Sequence, residues 1–391
     1  MDHKPGGSDV VIIGGGIVGC ACAYYLARAG VKVHLVERGP LGSGASRAGM
    51  SHIVTWEEPE MHLALARTSR ELYETLAEDL PVEIEYRCTG SLAVVEQPEG
   101  LSGMAAMINR LRAWGLGCEL LDAQDLRRVE PALAPDLPGG AYFPNDGMVN
   151  PLLATQALAQ AARQHGAVVE SGVEVTGIDL DPHSRRILGV QTQRGRLAAS
   201  QVVIAAGAWS GTLGRMAGIE LPIQPRKGTL AVTAPVPEDL LRCKVILSAG
   251  YMESVKGDGN GVAVAANIQQ VKNGNLLLGS SRQFAGFDTR VEPEVVSEVI
   301  RRCVRFVPAL AGALAVRFWA GLRPYTPDLL PVIGPLSSVP GLFVASGHEG
   351  IGITEGPVTG LLISQMITGE ETILPVGKLS PDRFQNIQME G

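Results

Sequence analysis

The chain has 391 residues and a formal net charge of −7; 46% of its residues are hydrophobic, 19% are charged, and no block of Lys and Arg stands out. That composition supplies ample material for a buried core, excludes an intrinsically disordered chain and carries no electrostatic footprint for nucleic acid. The length suits one large domain or two domains that share chain segments.

In chain order, residues 9–13 (DVVII) form a short apolar run, 14–19 (GGGIVG) a turn, and 17–29 a stretch of helical periodicity. Residues 31–36 (VKVHLV) follow as a second strand ending at Glu37, so the opening predicts a compressed βαβ unit. Val10 to Leu26 is apolar, but three glycines interrupt it and no basic segment precedes it. Neither a signal peptide nor a transmembrane segment is therefore expected, and the chain reads as cytoplasmic. Amphipathic helices are predicted at 60–79 and 103–114, with YRCTGSLAVVEQ between them as a strand of a different sheet. A helix at 151–165 precedes strands near 167–178, 187–193 and 200–205.

From residue 221 the texture becomes strand-rich (KGTLAVTA, KVILSAG, GVAVAANIQQ, GNLLLGSS), and a helix follows at 293–305. Residues 341–368 return to strand, glycine loop and helix. The two ends therefore bracket the middle: residues 1–85, 140–220 and 320–391 are expected to build one discontinuous domain, and 86–139 with 221–319 a second. Cys20, Cys22, Cys88, Cys118, Cys243 and Cys303 show no zinc-type pairs. They read as small buried hydrophobes in a reducing cytosol, and no metal site is expected.

The 48 glycines cluster at strand ends, which suggests backbone approaching a ligand closely. Gly14, Gly16 and Gly19 stand in G-x-G-x-x-G spacing between the first strand and a helix opening with Ile17 and Val18. The first glycine suits the tight turn, the second close approach to a pyrophosphate, and the third helix–strand packing. The helix N-terminus offers free N–H groups, and Glu37 is placed for ribose hydroxyls. The unit therefore reads as a dinucleotide site. A small-residue loop, GPLGSGASRAG, follows Glu37 where an NAD enzyme usually continues into another helix and strand.

The N-terminal glycine fingerprint, the GSGAS loop, AAGAW at 205–209, WAGLRPYTPD at 319–328 and GHEGIGIT at 347–354 occur in that order. With them the chain resembles the FAD-dependent amine and amino-acid oxidoreductases of the D-amino-acid oxidase superfamily. Within it the likeness extends to glycine oxidases and hydrogen cyanide synthase flavin subunits. NGNLLLGSSRQFAGFD (273–288) beside GHEGIGIT points to the β subunits of D-hydroxyproline and opine dehydrogenases. The implied fold is an α/β FAD-binding Rossmann-like domain of the GR2 type, with a second α+β substrate domain built on a mainly antiparallel sheet.

The resemblance assigns roles residue by residue. Arg323 stands where the family's GLRP arginine binds the substrate carboxylate, and a planar guanidinium fork suits that task. Ser43, Ala45 and Ser46 match the loop near the pyrophosphate and ribityl chain, with Ala48, Gly49 and Met50 continuing it. Arg47 stands beside the isoalloxazine edge or is a solvated loop arginine. Val175 matches the position whose backbone meets adenine. Arg38, Ala206, Gly207 and Trp209 complete the expected cofactor wall.

His348 has three readings: a zinc ligand, which lacks partners; a general base paired with Glu349, which is awkward for adjacent loop residues; and a flavin neighbour. In the last reading Gly347, Gly350, Ile351, Gly352, Ile353 and Thr354 turn backbone N–H groups and a helix start toward the flavin's pyrimidine oxygen. Gly350 replaces a family arginine, and Glu349 precedes it. This exchange suggests a substrate with extra positive or hydrogen-bond-donating character, such as a hydroxylated ring amine or the guanidinium of an opine. No substrate-facing tyrosine stands in the strand at 262–270, and Tyr251 is a possible substitute.

The expected activity is FAD-dependent oxidation of the C–N bond of a D- or secondary amino acid, D-hydroxyproline-like, to an imine by hydride transfer to flavin N5, as the β subunit of a hetero-oligomer. The alternatives are an opine (octopine or nopaline) dehydrogenase β subunit, or a stand-alone glycine- or sarcosine-oxidase-like enzyme making hydrogen peroxide. No cysteine occurs near RPYTPD, so FAD is expected to be non-covalent, with His52 the nearby histidine that would contradict this. FMN or an iron–sulfur cluster is expected only in, or shared with, partner subunits.

Overall fold

The computed structural model describes residues 8–56, 60–249 and 261–384. Strand Ser8–Ile13 pairs in parallel with Val33–Glu37 on one side and with Gly195–Ile204 on the other. Val168–Ser171 extends the sheet beyond the first neighbour and Leu342–Ser346 beyond the second, both again in parallel. Strands from the two ends of the chain therefore meet in one parallel sheet.

The alternation along the first strand explains how this core is covered. Val10 and Ile12 join a cluster with the helices Ile17–Arg28, Pro151–Gln164 and Gly352–Thr368. Val11 and Ile13 pack on the opposite face with Val175, Ile178, Ile187 and Val190. The ten-residue strand Gly195–Ile204 makes this possible. Its first half leaves the parallel sheet and pairs antiparallel with Ile187–Thr192, which pairs in turn with Val175–Leu180. A parallel sheet covered on both faces needs near-continuous apolar strands, which DVVII supplies.

The second sheet runs Ala315–Tyr325, Gln224–Thr233, Leu276–Arg282, Ala263–Gln270, Val245–Ser248, Ser91–Val95, Gly139–Phe143 and Glu119–Asp122. It is antiparallel except where Val245–Ser248 meets Ser91–Val95. Helix Pro293–Phe306 lays Val299, Cys303 and Phe306 on one face, and helix Gly100–Ala113 lays Met104, Ile108 and Leu111 on the other. Each is the i, i+4, i+7 stripe of an amphipathic helix.

The fold is therefore a Rossmann-like domain joined to a mainly antiparallel α+β unit. The expected divisions at 139/140 and 319/320 fall inside the strands Gly139–Phe143 and Ala315–Tyr325. All six cysteines are free, and Cys88 is exposed, against the expectation of burial for every one. Its strand, Arg87–Cys88, is a two-residue rim piece in a three-stranded sheet. No helix among the described residues is long and apolar enough to cross a membrane.

Candidate active site

An elongated cavity runs between the two sheets, from the ends of the parallel strands to the face of the antiparallel sheet. At its nucleotide end the chain turns at Gly14, whose φ of +115° only glycine adopts readily. A Cβ on Gly19 would collide with the Gly14 carbonyl, so the helix can start this close to the strand only without one. Glu37 fixes the same loop: its Oε2 accepts from Gly15 N–H at 2.7 Å and its Oε1 from Gly39 N–H at 2.8 Å. Its carboxylate thus sits at the cavity wall beside Arg38, whose guanidinium lies 4.3 Å from the Trp209 ring centre. Val175, Ala206 and Gly207 line this end as well.

The GSGAS segment forms the short helix Ala45–Ala48, and Ser46 Oγ accepts from Ile17 N–H at 3.0 Å. Gly16, Ile17 and Val18 line the cavity here, together with Ser43, Ala45, Ser46, Ala48, Gly49 and Met50. Arg47 does not; it points to a second surface hollow.

At the other end Arg323 extends from the edge strand of the antiparallel sheet. Its guanidinium lies flat over Gly228 on the neighbouring strand, where any Cβ would overlap it, and its Nη1 donates to Ser281 O at 2.9 Å. Glu349 faces it from the loop after Leu342–Ser346, with φ at +45° and its N–H donating to Pro324 O at 3.0 Å. The Glu349 carboxylate lies 3.2 Å from Arg282 and 3.6 Å from Arg226, both buried. Burial alone would raise its pKa. The Arg282, Arg323 and Arg226 charges overcome that and hold it below the ordinary glutamate value. The carboxylate is thus engaged by the protein's own cations. Of the two substrate characters expected from Glu349, a positively charged group loses its support.

His348 turns the other way, its Nε2 meeting Thr359 Oγ1 at 2.9 Å. Burial, aided by the His62 charge, pushes its pKa down to about 3, so it is neutral and a poor base near pH 7. The two side chains diverge, which removes the paired-base geometry. His348, Glu349, Gly350, Gly352 and Ile353 line the cavity, whereas Gly347, Ile351 and Thr354 do not. Gly347 provides a turn at φ +85°, Ile351 packs with Trp56 and Phe143, and Thr354 Oγ1 lies 3.4 Å from Val54 N–H. Tyr251 lies outside the described residues.

The second sheet adds residues that sequence reasoning passed over. Asn267 and Ser280 line the cavity from adjacent strands, and His52 joins them. His52 Nδ1 is engaged by Gln269 Nε2. Burial, then the Arg282 and Arg323 charges, push its pKa down to about 4. The strand at 262–270 thus turns an asparagine, not a tyrosine, to the cavity. Among the described residues no cluster of three or more His, Cys, Asp or Glu is arranged to hold a metal ion.

The wall fits an extended dinucleotide: a glycine turn that a Cβ would fill, a carboxylate at one end and a guanidinium at the other. The family described as "DAO: FAD dependent oxidoreductase" matches residues 9–366. Glycine oxidase of Geobacillus kaustophilus (strain HTA426) is 34% identical over 98% of both chains. A crystal structure of glycine oxidase from that species superposes with a TM-score of 0.87 at 31% identity, covering 96% of this chain and 98% of the other. Hydrogen cyanide synthase subunit HcnC of Pseudomonas aeruginosa is 30% identical over 96% of both chains. The crystal structure of L-proline dehydrogenase from P. horikoshii gives a TM-score of 0.88 at 28% identity, covering 98% and 99%.

Proposed function

Because the chain belongs to the DAO family of FAD-dependent oxidoreductases, we propose that it oxidises the C–N bond of a small amino acid to an imine, acting alone in the manner its likeness to glycine oxidases suggests. FAD is its cofactor, and when bound it accepts the electron pair leaving the substrate α-carbon. The observation that carries this reading is the placement of Arg323: its guanidinium is laid across Gly228 at the cavity wall, beside the His348 loop, where a planar cation suits a substrate carboxylate. Arg323 thereby orients the α-carbon, and the antiparallel sheet behind it excludes water.

Neutral His348 and His52 present polar but uncharged walls, so neither holds a proton that the reaction must remove. The amine is therefore oxidised in its neutral form, its proton given up before the substrate enters the water-excluded site. The helix Gly352–Thr368 begins at the cavity, and its N-terminus favours negative charge there. These roles are consistent with catalysis by positioning rather than by a protein base.

A second reading, a dehydrogenase subunit acting on a ring amine such as D-hydroxyproline, is favoured by the likeness to L-proline dehydrogenase and to a synthase subunit. The edge strand Ala315–Tyr325 also exposes Val316 and Phe318 next to exposed Leu314, an apolar strip suited to a partner. The purified protein should release FAD on denaturation. Its flavin should bleach anaerobically with at least one of glycine, sarcosine, proline, 4-hydroxyproline or octopine. Peroxide formation at the rate of flavin reduction supports the stand-alone oxidase; slow reoxidation with co-purifying subunits supports the second reading. Bleaching by none of them overturns both.

A further inference from the structure

We infer that His52 is a fixed, uncharged hydrogen-bond donor to the ring system of the FAD, locked by Gln269 into the tautomer that carries its proton on Nε2, and that this donor helps to set the flavin's reduction potential. The inference rests on FAD occupying the cavity and not on which amino acid is oxidised.

The hydrogen-bond network assigns the tautomer. Ser51 N–H, which can only donate, meets Gln269 Oε1 at 2.7 Å. That contact fixes the orientation of the amide, so Gln269 turns its NH2 group to His52 Nδ1. An amide NH2 can only donate, so Nδ1 accepts and carries no proton. A neutral imidazole then holds its proton on Nε2. Burial, then the Arg282 and Arg323 charges, keep the ring neutral, with its pKa pushed down to about 4. Gln269 is itself fully buried, so water does not compete for the lock.

Nδ1 is held against the antiparallel sheet, which leaves Nε2 to the cavity that His52 lines. Among the described residues no hydrogen-bond partner meets Nε2. At the far end of the cavity the Gly14 turn and the Glu37 carboxylate suit the phosphates and ribose of the nucleotide half. An extended FAD that starts there brings its ring system to the end lined by His52, Arg323 and the His348 loop. His52 is anchored at this end from three sides. It pairs with Met148, takes the bond from Gln269, and has its carbonyl 3.5 Å from Thr354 Oγ1 on helix Gly352–Thr368. None of those three partners titrates. Arg282 and Arg323 supply the charges that act on the ring, while Glu349 is engaged by Arg226 and Arg282.

The strand register separates this donor from the carboxylate clamp. Arg323 reaches Ser281 O, whereas Gln269 lies on the next strand opposite Leu277. At about 3.4 Å per residue along a strand and about 4.8 Å between strands, those backbone positions are about 14 Å apart. That spacing favours separate acceptors, the substrate carboxylate for Arg323 and the flavin ring for His52. The ring's carbonyl oxygens and unprotonated nitrogens are acceptors, and they gather negative charge as electrons arrive. A hydrogen bond to a charged acceptor is stronger than one to a neutral acceptor, so the His52 donor favours the reduced form.

The test equilibrates the FAD-loaded protein with a dye of known potential and follows the flavin's midpoint potential across about pH 6–8, where an unperturbed histidine titrates. His52→Leu should lower the ratio of reduced to oxidised flavin about tenfold at a fixed potential, a fall of about 30 mV for a two-electron couple. FAD content should stay at the wild-type level. Gln269→Glu places an acceptor where Nδ1 now meets a donor, so His52 must carry a proton on Nδ1 and keeps its Nε2 donor only when doubly protonated. The potential of that variant should fall more steeply with pH than the wild-type potential does. A merely structural role would shift the potential by a constant amount and leave its slope alone. If either variant does not fold, NMR of the wild type with isotope-labelled histidine decides: the His52 ring should be neutral and protonated on Nε2, and that nitrogen's resonance should move on flavin reduction.

An unchanged potential in His52→Leu, a wild-type slope in Gln269→Glu, or a proton found on Nδ1 of the wild-type ring overturns the inference. So does a His52→Leu protein that keeps its potential but binds tetrahydrofuran-2-carboxylate more weakly, because the donor then belongs to the substrate. None of these results removes the Arg323 reading, which the binding of that carboxylate tests separately.

Discussion

Gly228→Ala tests the proposed role of Arg323 as the substrate clamp without removing any charge. The added Cβ would lie 2.0 Å from Arg323 Nη1, 2.5 Å from its Cζ and 2.6 Å from its Nη2. Non-bonded contacts settle at ~3.5–4.0 Å, so the guanidinium must lift by at least about 1 Å. Lifting it breaks the 2.9 Å hydrogen bond from Nη1 to Ser281 O, which holds the fork in place. The displaced group is the far end of a flexible side chain, so the cost to folding should stay below about 1 kcal/mol. The cost to catalysis is larger, because a misplacement of about 1 Å is worth roughly 100-fold, or about 2.7 kcal/mol. Anaerobic stopped-flow reduction of the flavin measures this directly. The expected result is a rate per substrate concentration lowered about 100-fold, with FAD content and melting temperature near wild type. A fully active Gly228→Ala protein would show that the Arg323 position is not what orients the substrate. Loss of FAD or of folding in step with activity would refute the local displacement argued here.

Arg323→Lys should retain charge but lose the planar fork, raising the substrate concentration needed for flavin reduction about tenfold or more; unchanged saturation counts against the clamp. Glu349→Gln removes a buried countercharge between Arg226 and Arg282 and should cost on the order of 3 kcal/mol in urea unfolding at pH 7. Because the Glu349 pKa is held below 4.5, that difference should be full above pH 4.5 and shrink as the pH falls through the folded value. His52, with its pKa depressed from 6.5 to about 4, works in the opposite sense to a salt-bridged histidine. The unfolded chain takes up the proton first, so stability should be full above pH 6.5 and decline by roughly 3 kcal/mol toward pH 4. Unfolding midpoints that stay level across that window, or that decline equally in His52→Asn, contradict it. Gly19→Val should separate the first helix from Gly14 and lower FAD affinity, measured by cofactor retained on dialysis, while wild-type retention would show the contact to be dispensable.

Local chemistry made much of this protein legible in one dimension. DVVII, the three glycines and Glu37 are consecutive enough that strand, turn, helix and carboxylate follow from spacing and sterics alone. The stripes of Met104, Ile108 and Leu111, and of Val299, Cys303 and Phe306, likewise encode their helices. Sequence spacing also raised doubt about His348 and Glu349 as a pair. Only the tertiary structure decided where each points: Thr359 lies on the helix that follows the loop, whereas Arg226 and Arg282 come from strands far away in the chain.

The same limit hid Asn267 and Ser280. Within their strands they are ordinary polar residues, and nothing local marks them as facing a cavity. Their meaning comes from register across four strands: Arg323 crosses Gly228 to Ser281, and this brings Ser280 and Asn267 to the cavity wall that Arg323 occupies. The sequence by itself determined the dinucleotide turn and the two kinds of sheet, since these depend on neighbours along the chain. The charge engaged by Glu349 and the polar pair opposite Arg323 were decided by strand pairing over long sequence separations, which no single segment encodes.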